Sequence, residues 1–292
     1  MKNRRISSIA TAAVVVVLIA PVWAQQALPQ ANPPGPGRGA RRNATPPPGP
    51  PHDPHDLSGT WMQWGPGLGG GSGGRPQTGS QWTPEALPLT PAGLAMLNSR
   101  LPGKGPRAGV PAKGNDPLSD ANVPGLLRTL VYGRPFQFIP AQDKIVQTFE
   151  WFRIWREIWT DGRSMPEDPD PRFYGYSVSK WDGDTLVVQT AGLDPRLWGD
   201  EWGMPFSDEM RLEEHWHRLD RDNLELTVTF HDPRIYTKPW TSEVKRFRLQ
   251  TKGMPDAEML EVIFTPMDEK DFDKNIRDPS SLGIAGPKSG VR

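Results

Sequence analysis

Trp151, Arg153, Trp155, Glu157 and Trp159 recur at every second position, with Phe152, Ile154, Arg156 and Ile158 between them. A two-residue period with large aromatics on one side marks a strand, because successive strand side chains point to opposite faces. The stretch stands in a series of similar ones, separated by short Asp, Gly, Asn and Pro turns. A meander of this kind is expected to close on itself, since closure removes exposed edges. The expected fold is therefore mostly β: a single antiparallel β-barrel of about eight to ten strands, lipocalin-like, with one short helix.

The first residues point to export. Lys2, Arg4 and Arg5 precede an uncharged apolar run from Ile9 to Ala20, and Val22-Trp23-Ala24 supplies small residues for cleavage. Residues 1–24 read as a secretory signal peptide, with an apolar part too short for a stable membrane span. The expected location is periplasmic or secreted, with no stable membrane insertion after cleavage. Cysteine is absent, so a lipoprotein anchor is excluded and packing alone must hold the fold. Twelve tryptophans, all but Trp23 beyond the signal, bring much of the apolar surface for that packing. Lys and Arg number 34, as do Asp and Glu, and no basic stripe suits the chain to nucleic acid.

Residues 25–56 are rich in Pro, Gly, Ala and Arg and read as an extended tether, with His52 and His55 at its solvated end. Residues 57–266 are expected to form the barrel domain and residues 267–292 a polar tail. From Gly65 to Gly74, seven of ten residues are glycine, but no Gly-Lys-Ser/Thr follows. This excludes a phosphate loop and suggests a mobile loop near a barrel mouth. Thr90 as N-cap and Pro91 at the first helical position start a helix that runs to Ser99. Strands are expected at 57–61, 135–139, 144–150, 153–160, 173–181, 184–190, 209–219, 224–231, 243–249 and 259–264.

Leu57-Ser58-Gly59-Thr60-Trp61, a tether's length after a signal peptide, resembles the Gly-x-Trp opening strand of lipocalin-like barrels. Further stretches resemble an uncharacterised family of exported bacterial proteins. They are Trp159-Thr160-Asp161-Gly162-Arg163 with Pro166 to Pro171, Trp181-Asp182-Gly183-Asp184-Thr185-Leu186-Val187-Val188, and Asp232-Pro233 with Tyr236-Thr237-Lys238-Pro239-Trp240. The resemblance implies a barrel and no assigned activity. The chain departs from the family's pattern in lacking Cys near Asp120 to Gly125 and in carrying His215 and His217 where Arg is usual, so neither histidine is carried over.

Chemistry-bearing residues fall in two hairpins and the aromatic strand. With Asp182-Gly183 as the turn, Ser179 opposes Leu186 and Ser177 opposes Val188; small inward residues there leave room for a ligand or for a bulky neighbour. With Leu219 opposite Leu224, His215 and His217 share a face with Leu226 and Val228, while Glu214 and Trp216 take the other. His215-x-His217 has the geometry of a zinc or copper pair, yet a third ligand is missing, so no metal is expected. Glu214, His215 and His217 are the candidate acid–base residues. Arg153, Trp155, Glu157, Ser177, Ser179, Trp216, Tyr236 and Trp240 are the candidate ligand contacts. If the aromatic face of Trp155 turns outward instead, the interior belongs to Phe152, Ile154, Arg156 and Ile158. The expected function is an exported barrel binding a small, partly aromatic or apolar molecule, without a cofactor. A cofactor-independent lyase, hydratase or isomerase of the same shape is the alternative, and a structural envelope protein is the third reading.

Overall fold

A computed structural model describes residues 51–64, 74–254 and 257–277. The expected signal peptide, most of the tether, most of the glycine loop and the end of the tail lie outside the described residues. Among the described residues the strands form one sheet: β1 (Gly59–Gln63), β2 (Phe136–Pro140), β3 (Lys144–Phe149), β4 (Trp155–Trp159), β5 (Tyr176–Asp182), β6 (Thr185–Ala191), β7 (Arg211–Arg218), β8 (Asn223–His231), β9 (Trp240–Thr241) and β10 (Lys245–Gln250). β1 to β8 are neighbours in chain order, and β10 pairs with both β1 and β8, closing nine strands into a barrel. β9 is left outside, paired to β8 through Thr229↔Thr241 and Phe230↔Trp240.

The barrel is mixed rather than wholly antiparallel, because β4 and β5 run parallel. A parallel pair needs a crossover that returns the chain to the start of the first strand. Residues 160–175 provide it, and Pro166, Pro169 and Pro171 keep that segment from joining the sheet, since proline offers no ladder donor. No strand forms at 259–264; the segment is tied to the residues after β3 by a bridge, Trp151↔Val262, and by the Leu260 N–H, which donates to the Glu150 carboxylate at 3.0 Å.

Three α-helices are present among the described residues: α1 (Pro91–Ser99), α2 (Leu126–Val131) and α3 (Pro266–Phe272). In α1 the Thr90 hydroxyl accepts from the Gly93 N–H at 3.0 Å, as the sequence leads one to expect. α2 is buried at every position, and its leucines join the barrel's core. A run of six residues with Arg128 and Thr129 buried among its apolar ones has no helical period to reveal it. α3 opens on a Thr265/Asp268 capping box, so the first part of the polar tail is ordered.

The core is aromatic at its centre. Trp216 meets Phe136, Phe138 and Phe247 at ring separations of 5.6, 5.1 and 5.6 Å. Leu186, Val188, Leu224, Leu226, Val228 and Phe230 continue the filling, each buried. Burial of one such side chain stabilises by about 1.5–3 kcal/mol. The end of the tether is ordered too. His55 stacks on Trp181 at 4.2 Å and contacts the Gly183 carbonyl at 3.0 Å, while the Arg218 guanidinium donates to the Asp56 carbonyl.

Tyr236 ties an outer loop to this core by donating its buried hydroxyl to the Pro205 carbonyl at 2.6 Å. Burial, reinforced by Asp232 and Asp200, pushes its phenol well above the ordinary range. A folded-state pKa raised above the unfolded one gives stability that is complete below the unfolded value and is lost as pH rises through the folded one. Urea midpoints should therefore fall steeply above about pH 10, the ordinary tyrosine pKa. Tyr236→Phe should start lower and show a shallower alkaline decline; an unchanged slope would show that other groups control that limb.

Candidate functional site

β4 and β5 pair through Ile158↔Ser177 and Trp159↔Val178 alone. Ahead of those pairs the strands part, leaving a cleft of about 250 Å³. Trp155, Trp159, Phe173, Tyr174 and Tyr176 wall it, and Arg156 and Ser177, both buried, form its inner end. Trp155 is 59% exposed, an unusual position for the largest apolar side chain. Cations sit over the rings: Arg163 lies 3.5 Å and Lys144 4.6 Å from Trp159, and Arg172 lies 5.5 Å from Tyr176.

Behind the inner end lies a polar belt to which five successive strands contribute one inward residue each. The residues are Gln147 of β3, Arg156 of β4, Ser177 of β5, Thr190 of β6 and Glu214 of β7. Register brings them together, since Gln147 pairs with Arg156 and Ser177 with Thr190. The Arg156 guanidinium donates to both Glu214 carboxylate oxygens at 2.8 and 2.6 Å, and its Nε donates to the Gln147 Oε1 at 2.8 Å. Glu214 also accepts from the Trp216 indole at 3.0 Å and the Thr190 hydroxyl at 3.2 Å, and Thr190 and Ser177 share a hydrogen bond of 2.8 Å. The Gln147 amide nitrogen is buried with no hydrogen-bond partner. Desolvating an ion pair offsets much of its attraction, so the many extra donors are what make this one tolerable. Tyr174 is buried at the same place, its hydroxyl 3.1 Å from Thr129 of α2; burial pushes its phenol above the ordinary range.

The candidate residues divide. Glu214, Ser177 and Trp216 enter the polar belt, and Trp155 and Glu157 line the cleft from the outer side of β4, with Glu157 bonded to Lys144 at 2.5 Å. Ser179 faces inward and donates to the Trp159 carbonyl at 3.1 Å. His215 and His217 are corrected: they point outward, opposite the Glu214 face, and His215 pairs with Glu213 at 2.9 Å. The cause is a turn one residue different from that assumed, giving Arg218↔Leu224 instead of Leu219↔Leu224. A one-residue slip exchanges the two faces of a strand.

Arg153 is corrected as well. It lies outside β4, with φ of 51°, following Phe152 at 62°, and its exposed guanidinium donates to the Met259 carbonyl at 3.2 Å. These two left-handed residues break the alternation, so Arg156 and Ile158 take the interior and Trp155 turns out. Tyr236 and Trp240 belong to a separate aromatic group, with Trp240 stacked on Phe230 at 4.1 Å and edge-on to Tyr236 at 5.5 Å. Gln147, Thr190 and Tyr174 were not legible as site residues; each is an isolated polar or aromatic residue in an otherwise ordinary strand or loop.

No protein-family model matches this sequence, and no curated protein or solved structure matches it. Among the described residues, no group of three or more His, Asp or Glu side chains is placed to hold a metal ion, and no helix is long and apolar enough to cross a membrane.

Proposed function

We propose that this is an exported protein that binds a small, planar, partly apolar molecule in the cleft between β4 and β5. The observation that carries the reading is the cleft itself, where five aromatic side chains surround a polar inner end of Arg156 and Ser177. Largely aromatic walls with a few fixed polar groups are the usual make-up of a small-molecule site. The site differs from the central barrel pocket expected of a lipocalin-like fold, because Trp216 and its phenylalanine neighbours fill the barrel's middle. Acid–base turnover is the weaker reading, since four donors already engage the Glu214 carboxylate.

Calorimetric titration with indole, p-cresol and 4-hydroxybenzoate should reveal saturable binding of one equivalent for at least one of them. Trp155→Ala should weaken it by about tenfold, a loss of roughly 1.4 kcal/mol. Trp155 is exposed, so the fold should survive the change. Binding unaffected by Trp155→Ala, or no binding by any of the three, would count against the cleft and favour a structural role.

A further inference from the structure

The walls of the cleft between β4 and β5 carry more positive charge than the protein itself neutralises. Aromatic faces attract cations, and here the protein supplies its own. Arg163 and Lys144 lie over Trp159, Arg172 over Tyr176 and Arg196 over Phe173, at 3.5, 4.6, 5.5 and 5.9 Å from the ring centres. Three of these four cations have a carboxylate of their own. Arg163 pairs with Asp161 at 2.6 Å, Lys144 with Glu157 at 2.5 Å and Arg196 with Asp194 at 2.5 Å. At the inner end Arg156 is likewise matched by Glu214, at 2.6 Å. Arg172 is the exception: among the described residues no carboxylate pairs with its guanidinium.

Arg172 is nonetheless held in place at the cleft. It stands on the crossover just before β5, and its backbone bridges to Leu193 after β6. Its N–H donates to the Gly192 carbonyl at 2.8 Å, and its own carbonyl accepts from the Asp194 and Gly175 N–H groups at 3.1 and 3.3 Å. The residue lines the cleft and is exposed, with its guanidinium over the ring of Tyr176, itself one of the walls. This arrangement selects for ligand charge. A cationic ligand would compete with the protein's cations for the same ring faces and be repelled by them. An uncharged one would leave the Arg172 fork without a matching acceptor. A carboxylate can accept from that planar fork through two parallel bonds while an attached ring lies against the walls.

We propose that the cleft selects aromatic monocarboxylates, the carboxylate accepting from Arg172 and the ring lying among the aromatic walls. This rests on the cleft being the ligand site and names the charge that the site takes. The test is calorimetric titration of the full protein with 4-hydroxybenzoate and with 4-hydroxybenzamide, its uncharged isostere, at equal ionic strength. The acid should bind about fivefold more tightly than the amide, the size of one exposed charge pair. Arg172→Gln should remove most of that difference by weakening the acid alone, and the thermal midpoint should hold because the side chain is exposed. Arg248→Gln removes an exposed cation from β10, which pairs with neither β4 nor β5, and should change neither affinity. Trp155→Ala should weaken acid and amide alike. Equal binding of acid and amide, or a preference that survives Arg172→Gln, would overturn the charge selection and leave the cleft as a binding site. Binding of neither, or binding indifferent to Trp155→Ala, would overturn the cleft itself and this proposal with it.

Discussion

Replacing Arg156 by methionine should destabilise the protein by about 3–5 kcal/mol, because it strands the Glu214 carboxylate in the barrel interior without its main partner. Glu214 is fully buried, and Arg156 provides two of its four donors. Glu214→Leu alone should do comparable damage for the converse reason. The double variant Arg156→Met/Glu214→Leu should recover most of the loss, since it leaves no unpaired charge and fills a similar volume. Urea unfolding of the four proteins forms a double-mutant cycle that isolates the coupling. Single variants within 1 kcal/mol of the parent would mean that water reaches the pair.

Asp200→Ala should be the second severe change. The buried carboxylate gathers four donors: the Ser80 hydroxyl at 2.6 Å and the N–H groups of Gln81, Trp202 and Met204 at 2.8, 2.9 and 2.9 Å. Removing it orphans buried backbone donors, each at a cost of about 1–3 kcal/mol. The same carboxylate shapes the turn that presents Glu201 to Lys104. The expected result is a loss of at least about 3 kcal/mol in urea unfolding, about 1 or more for each of the three backbone N–H groups. Asp200→Asn, which keeps the shape and an acceptor oxygen, should be milder. Equal losses in the two variants would show that both carboxylate oxygens are needed, since the Asn –NH2 cannot accept from the donors on its side.

The barrel was legible because its signal is repetition: period-two patterning, turn residues at short intervals and an opening Gly-x-Trp strand. What failed was parity, and it failed at turns. At β7–β8 one residue of loop length turned His215 and His217 outward and put Glu214 and Trp216 among the leucines. At β5–β6 the turn centres on Gly183-Asp184, with Gly183 at φ of 56°, not on Asp182-Gly183. That slip is two residues, so Ser177 and Ser179 still share a face with Leu186 and Val188. Between β3 and β4 the left-handed pair Phe152-Arg153 resets the alternation, and neither residue type announces such a conformation. The parallel junction was hidden because its crossover carries no helix.

The parting of β4 and β5 also bears on kinetics. Many binding proteins admit a ligand only after a lid or strand has moved, so that arrival waits on the protein's own fluctuations. Here the cleft lies ahead of the two pairs that join these strands, and a molecule can reach its inner end with every ladder bond intact. For a ligand of the proposed kind, association would then be governed by diffusion and orientation, and differences in affinity would fall mainly on how long each one stays.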